Sequence, residues 1–378
     1  MSIKLAEDTI NTEDIDELRD WLGTYPRLTK GPLTEAYEFK WSSYLGVPYS
    51  TFVNSGSSAN LLMLATLIEA GKLTAGDKVI VPSLSWATDV APIMQLGLVP
   101  LLCDCNLRDY SVDIEEFKEL LVDAKAAIVV PVLGLVPDMK TIVEVCKAAN
   151  VILLEDCCEA LGSEYKGQKL GTFGEMSTFS TYFGHHMSTI EGGMVCTANP
   201  EYDKILKSIR NHGWDRDWDT QTQQAERERW DVSDFDSLYT FYFPGFNVRA
   251  TDLQAFLGLK QLGKVEIFNR IRNRNFKTYL ECFELPPPSP ESFISNFAYP
   301  IVSDNRDKIV KVLQENNVEV RPMICGSMGT QPFYVKKYGK KHLPNSEFLK
   351  TRGMYLPNHA SLTKEDITFI VSLIKDLL

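Results

Sequence analysis

The sequence predicts an α/β protein built around a largely parallel β-sheet. Two observations carry that expectation. Short apolar runs without polar alternation mark strands buried on both faces. Longer helical patterns separate them through the first two-thirds of the chain, the alternation that builds βαβ units. Taken in order, residues 78–82, 101–104, 127–131 and 151–156 read as strands, and residues 60–70, 114–122 and 139–149 as helices between them. Residues 251–283 form a long helical pattern, with Leu253, Phe256, Leu257, Val265, Phe268 and Ile271 at near-helical spacing. A proline-rich stretch at 286–290 reads as a stiff connector. The remainder mixes strand-like and helical pieces. The expected division is a large domain over 1–250 and a smaller C-terminal α/β domain over 251–378.

Bulk properties narrow the classes of function. At 378 residues the chain is long enough for two domains, and 44% hydrophobic with 24% charged residues is ordinary for a globular protein. The net charge of -11 argues against nonspecific binding to nucleic acid or to an anionic membrane surface. The first residues carry no signal-peptide pattern, and no apolar run approaches the roughly 20 residues of a membrane span. A cytoplasmic protein is expected. The 8 cysteines include no CxxC pair, and those at 103, 105, 157 and 158 follow or lie on apolar runs. Buried structural thiols are expected, with neither a disulfide framework nor a metal site.

Ligands of such sheets sit at the carboxyl ends of strands. Asp156 closes a predicted strand and Ser57 opens a predicted helix, so both fall in that zone. Asn54-Ser55-Gly56-Ser57-Ser58-Ala59-Asn60 offers backbone N–H groups and hydroxyls to a phosphate, and equally makes an ordinary N-cap. Trp86 has a ring that stacks on another ring or simply packs. Asp156 suits a pyridine nitrogen, which it would keep protonated, or caps a turn. Glu159 reaches toward the same ligand or covers a helix face. His185 and His186 follow Ser180 in a segment with no lysine between Lys169 and Lys204.

In combination these residues are far more specific. Gly56-Ser57, Trp86, Asp156, Glu159, Ser180 and the position of His185 resemble, in order and spacing, the DegT/DnrJ/EryC1/StrS family of sugar aminotransferases. Residues 162–174 and the run Gly245-Phe246-Asn247-Val248-Arg249 extend the resemblance over nearly the whole chain. It implies a type I pyridoxal 5'-phosphate (PLP)-dependent transferase fold, aspartate aminotransferase-like, and a homodimer with shared active sites. It implies that Gly56, Ser57, Ser58 and Ser180 hold the cofactor phosphate, with Asn247 contributed by the neighbouring subunit. Trp86 would stack on the ring, Asp156 bind its nitrogen and Glu159 approach its phenolic oxygen.

One departure decides the expected chemistry. In the family a lysine stands five residues after the serine, ahead of a Glu-Gly-Gly turn. Here Glu191-Gly192-Gly193 is in place, but the lysine position holds His185. An imidazole cannot bond covalently to the cofactor aldehyde, yet it moves protons near neutral pH. Histidine at this position is the mark of the family's sugar 3-dehydratases. The resemblance therefore implies a PLP/pyridoxamine 5'-phosphate-dependent C3 dehydratase with non-covalently bound cofactor and no iron–sulfur cluster. Its partners would be L-glutamate, as amino donor, and a nucleotide-linked 4-keto-6-deoxyhexose, GDP-4-keto-6-deoxymannose foremost. His212, Arg249, Arg321 and His359 are the candidate substrate contacts. An aminotransferase-like enzyme with other amine chemistry and a catalytically silent PLP-binding homologue remain the alternative readings. Spacing from Ser180 selects His185 over His186 as the proton carrier.

Overall fold

The computed structural model describes residues 2–283 and 291–378; the expected connector at 286–290 lies outside the described residues. Seven strands form the main sheet: β1 (Tyr49–Val53), β2 (Lys78–Pro82), β3 (Val99–Cys103), β4 (Ala126–Val129), β5 (Ile152–Asp156), β6 (Met176–Ser180) and β7 (Gly193–Thr197). Their order is β1-β7-β6-β5-β4-β2-β3. The pairs from β3 through β6 are parallel, whereas β7 is antiparallel to both β1 and β6. Six strands thus point the same way and only β7 runs against them. Their carboxyl ends share one edge, and that edge carries the candidate residues.

The predicted strands and helices are present, most with shifted ends. Residues 78–82 are the whole of β2, and the helix predicted at 139–149 is α4. The helix read at 60–70 begins earlier, as α1 (Gly56–Glu69), because Ser55 caps it by accepting the Ser58 N–H at 3.1 Å. After β2 comes α2 (Ala87–Gln95), and between β3 and β4 lies α3 (Ile114–Leu120). Met139–Ala149 ends at Asn150 in the left-handed conformation, φ 56°, a turn asparagine tolerates. The loop at 215–235 contains a helix of its own, α5 (Thr220–Arg229), with no buried residue. The long pattern at 251–283 is two helices, α6 (Asp252–Leu262) and α7 (Val265–Cys282), broken at Gly263.

A second sheet of three antiparallel strands follows: β8 (Ala298–Val302), β9 (Arg321–Pro322) and β10 (Gly353–Pro357), in the order β8-β10-β9. α7 packs against the last long helix, α8 (Lys364–Ile374). Among the described residues, no helix is long and apolar enough to cross a membrane.

The Glu155 carboxylate locks the strand ends in register. It is fully buried on β5 and accepts the N–H groups of Gly171, Phe173 and Gly174 at 2.7, 2.7 and 2.8 Å. This folds the segment before β6 back under its neighbour, and the register pairs Asp156 with Thr178, two residues before Ser180. Glu155→Ala should destabilise the protein by about 3 kcal/mol, since three buried donors lose a charged acceptor. Urea unfolding at pH 7 checks this, and a loss within about 0.5 kcal/mol of wild type would contradict it.

Candidate active site

The carboxyl edge opens into a cavity of about 360 Å³. Six of the eight predicted cofactor-binding residues line it, namely Gly56, Ser57, Trp86, Asp156, Glu159 and Ser180, together with His185. The topology explains the gathering. β1 feeds Gly56 and Ser57 into the start of α1, β2 leads to Trp86 at the start of α2, and β5 and β6 end on Asp156 and Ser180. Among the lining residues there is no lysine.

Gly56 is required by close approach. A Cβ there would lie 2.7 Å from Ser180 Cβ and 3.0 Å from Cys158 Sγ. The start of α1 therefore sits directly against the ends of β5 and β6. Ser57 donates to Thr88 Oγ1 at 3.1 Å, which joins the α1 and α2 termini across the cavity.

Asp156 is buried, and both its oxygens have donors. Oδ1 accepts the Cys158 N–H at 2.9 Å and Oδ2 accepts Asn60 Nδ2 at 2.6 Å. Asn60 Oδ1 accepts the Thr178 hydroxyl at 2.6 Å, so the orientation of the amide is fixed. Glu159 Oε2 accepts the Leu133 N–H at 2.6 Å. Burial, assisted by the nearby Asp156 charge, raises the Glu159 pKa to about 7 despite that hydrogen bond.

His185 Nδ1 lies 2.6 Å from the Cys158 carbonyl. A carbonyl only accepts, so Nδ1 carries the proton and Nε2 keeps its lone pair. Burial pushes the pKa of the ring below 6.5. The Cys158 carbonyl and Asp156 oppose that shift, and the Arg272 guanidinium reinforces it. The ring packs 5.2 Å from that of Phe297, and Arg272 donates to the His185 carbonyl at 3.1 Å. His185 is thus a neutral, oriented base at neutral pH.

His186 has a different environment. It is fully buried, lies off the cavity wall and points Nε2 at the Ser295 carbonyl, 2.7 Å away. Burial holds its pKa well below 6.5.

The other predicted residues are placed elsewhere. Ser58 lies off the cavity wall; its hydroxyl donates to Asn54 Oδ1 at 2.6 Å and accepts from Ser55 at 3.0 Å, while Ser55 itself lines the cavity. Asn247 is exposed and is not on the wall of its own chain's cavity. Neither are His212, Arg249, Arg321 and His359. Arg249 donates to Asn211, His212 packs against Trp214, Arg321 is exposed on β9, and His359 is buried. Cys103, Cys105 and Cys157 are buried as expected, but Cys158 lies on the cavity wall. Sequence reasoning missed Asn60, Asp89, Tyr182, Phe297, Ile324 and Tyr355, which also line it. Asn60 had a signal, a polar amide at the head of an apolar helix; Phe297, Ile324 and Tyr355 arrive from the second sheet without one.

The fold and the cavity together define a protein of the aminotransferase type. The chain belongs to the DegT/DnrJ/EryC1/StrS aminotransferase family, whose model matches residues 8–375. It is 32% identical over 362 residues to GDP-4-keto-6-deoxy-D-mannose 3-dehydratase from Escherichia coli O55:H7, covering 92% of this chain and 93% of that protein. The crystallographic E. coli GDP-4-keto-6-deoxy-D-mannose-3-dehydratase with bound hydrated PLP superposes with a TM-score of 0.91 at 30% identity, over 99% of each chain. A structure of GDP-4-keto-6-deoxymannose-3-dehydratase with a trapped PLP-glutamate geminal diamine superposes with a TM-score of 0.91 at 29% identity, over 98% of this chain and 100% of that one.

Both histidines favour the neutral form in the folded state, so below about pH 6.5 each binds more protons in the unfolded chain than in the folded one. Their contribution to stability is lost as pH falls. The thermal midpoint of wild type relative to His186→Gln, whose amide still donates to Ser295, should therefore drop between pH 7 and pH 5. Scanning calorimetry of both proteins checks this; identical slopes would contradict it.

Proposed function

We propose that this protein is a PLP-dependent 3-dehydratase acting on a nucleotide-linked 4-keto-6-deoxyhexose, GDP-4-keto-6-deoxymannose, with L-glutamate as amino donor. The observation that carries this reading is the cavity of a sugar aminotransferase in which His185 stands at the lysine position and no lysine lines the wall. The relatives named above are 3-dehydratases of this substrate by name, and one structure holds a glutamate adduct of the cofactor.

The residues present fit the cofactor. The N-terminus of α1, with Ser57 and Ser180 beside it, is a donor set for a dianionic phosphate, and Gly56 leaves the room a side chain would fill. Ser55 joins them, while Ser58 supports the turn. Trp86, 59% exposed on the cavity wall, presents a ring face for stacking. Asp156, anchored at both oxygens, would hold the pyridine nitrogen protonated. When bound, the cofactor supplies an electron sink for charge on the carbon beside its ring and, in its amine form, the amine that engages the sugar ketone.

The chain's own residues do the rest. His185 Nε2 takes a proton and, as imidazolium, returns one to the departing C3 oxygen of the sugar. A lysine there would tether the cofactor and favour amine transfer; His185 cannot form that covalent attachment. Glu159, with its pKa near 7, lines the cavity and would face the phenolic oxygen. Asn247, exposed and off its own cavity, is assigned to the phosphate site of a second copy, in a homodimer with shared sites. Arg321, three residues before the cavity-lining Ile324, is the substrate contact best placed among those predicted. Arg249, His212 and His359 follow it. We place the domain boundary near 250, between the main sheet and the helices that carry the second, and the protein in the cytoplasm.

Incubating the PLP-loaded enzyme with L-glutamate and GDP-4-keto-6-deoxymannose should release ammonia and yield a ketosugar lacking the C3 hydroxyl, read by mass spectrometry. Accumulation of a GDP-linked amino sugar would replace this reading with a transaminase. Binding without turnover would replace it with a silent homologue.

A further inference from the structure

Asp89 takes no part in the mechanism above, yet it is buried at the cavity floor, 1% exposed. It lies in the first turn of α2, where Oδ2 accepts the Trp86 N–H at 2.8 Å. Its other oxygen, Oδ1, accepts Asn60 Nδ2 at 3.0 Å, the same nitrogen that donates to Asp156 at 2.6 Å. One neutral amide therefore faces two buried carboxyls. Among the described residues, neither carboxyl forms an ion pair within 4.0 Å. The charged or titratable groups that face Asp89 are Asp156, Cys158 and Glu159 from the end of β5 and the turn after it, and Cys325 from the segment after β9. None of them is a cation. Two carboxylates in such a place cannot both ionise.

We infer that Asp89 is a permanently protonated positioning residue, a carboxylic acid whose O–H donates to Asp156 and whose carbonyl oxygen holds the backbone of Trp86. The proton belongs on Asp89 because Asp156 has the stronger pair of donors, at 2.6 and 2.9 Å, against 2.8 and 3.0 Å for Asp89. Burial and the Asp156 charge both drive the Asp89 pKa well above its ordinary 3.8. The arrangement has two effects. It keeps Asp156 ionised without a cation, so the negative charge is free to face a ring nitrogen. It also joins the residue under the ring nitrogen to the residue that stacks on the ring, through a single side chain. This inference rests on the proposed role of Asp156 only for its consequence in catalysis, because the protonation itself is a property of the cofactor-free chain.

The test uses Asp89→Asn and Asp89→Ala. Asparagine keeps a donor toward Asp156 and an acceptor for Trp86; alanine keeps neither. Infrared difference spectra of cofactor-free wild type minus Asp89→Asn at pH 7 should show the carbonyl stretch of a protonated carboxylic acid. PLP affinity of Asp89→Asn, from fluorescence titration, should stay within about threefold of wild type, while Asp89→Ala should lose about tenfold or more, the size expected when a buried group loses its partner. The stability profile has a definite sign. A raised folded pKa gives stability that is present below the unfolded value near 3.9 and is lost as pH rises toward the folded value. The midpoint of Asp89→Asn relative to wild type should therefore rise with pH from 4 to 8. If Asp89→Ala fails to fold, the infrared band and the Asp89→Asn profile still decide. A carboxylate band with no protonated-acid band, or a flat relative profile, overturns the inference. An intact band together with failed sugar turnover would leave the inference standing and overturn the functional proposal instead.

Discussion

The backbone of one residue, Cys158, fixes the chemistry of the cavity. Its N–H holds Asp156 at 2.9 Å and its carbonyl holds His185 at 2.6 Å. The Asp156 carboxylate and the His185 imidazole are thus both anchored by a single turn after β5. Neither side chain can drift without breaking a part-buried hydrogen bond, and a misplacement of about 1 Å is enough to cost ~10²-fold in rate. The carbonyl does more than orient. By accepting from Nδ1 it chooses the tautomer that leaves Nε2 free, and burial then keeps the ring neutral. Burial outweighs the two influences that would charge it, the carbonyl and Asp156, because a desolvated imidazolium is the costlier state.

Everything around that turn holds it in place. Glu155, one residue before Asp156, ties the approach to β6 beneath β5. Gly56 lets α1 close against Cys158 Sγ and Ser180. Arg272 reaches from α7 and donates to the carbonyls of His185, Phe297 and Asn358, which ties the histidine loop to the second sheet. That buried guanidinium has only carbonyl acceptors here, and burial lowers its pKa to about 10. Its charge helps to keep His185 neutral. Positioning and electrostatics are in this way carried by the same contacts.

Much of this was legible in the sequence, for definable reasons. The continuous apolar strands at 78–82 and 151–156 and the helix at 139–149 were readable because burial on both faces and amphipathic spacing leave strong local patterns. β6 and β7 were missed as strands because Ser177, Thr178, Ser180 and Thr197 interrupt the apolar run; they are polar groups satisfied only by tertiary partners. The long pattern at 251–283 hid the break at Gly263, since Leu257 and Val265 keep near-helical spacing across it. In the cavity, strand-end residues such as Asp156 and Ser180 were legible from position. Asp89 was not, because its meaning depends on Asn60 being shared with a residue 67 positions later. Ser58 resembled a ligand-facing hydroxyl, yet its geometry is that of an N-terminal turn bonded to Asn54. The His185/His186 choice, drawn from spacing alone, corresponds to two distinct environments: a cavity wall for one and a sealed pocket against Ser295 for the other.

His185 as the proton carrier is the assignment on which the proposed function turns. It is tested most directly by solvent hydrogen exchange at the 4' carbon of bound pyridoxamine phosphate, in deuterium oxide with the ketosugar present, followed by mass spectrometry of the released cofactor. Wild type and His186→Asn should incorporate deuterium. His185→Asn should bind cofactor and sugar and incorporate none. Exchange by His185→Asn at the wild-type rate, or its loss in His186→Asn alone, would contradict the account.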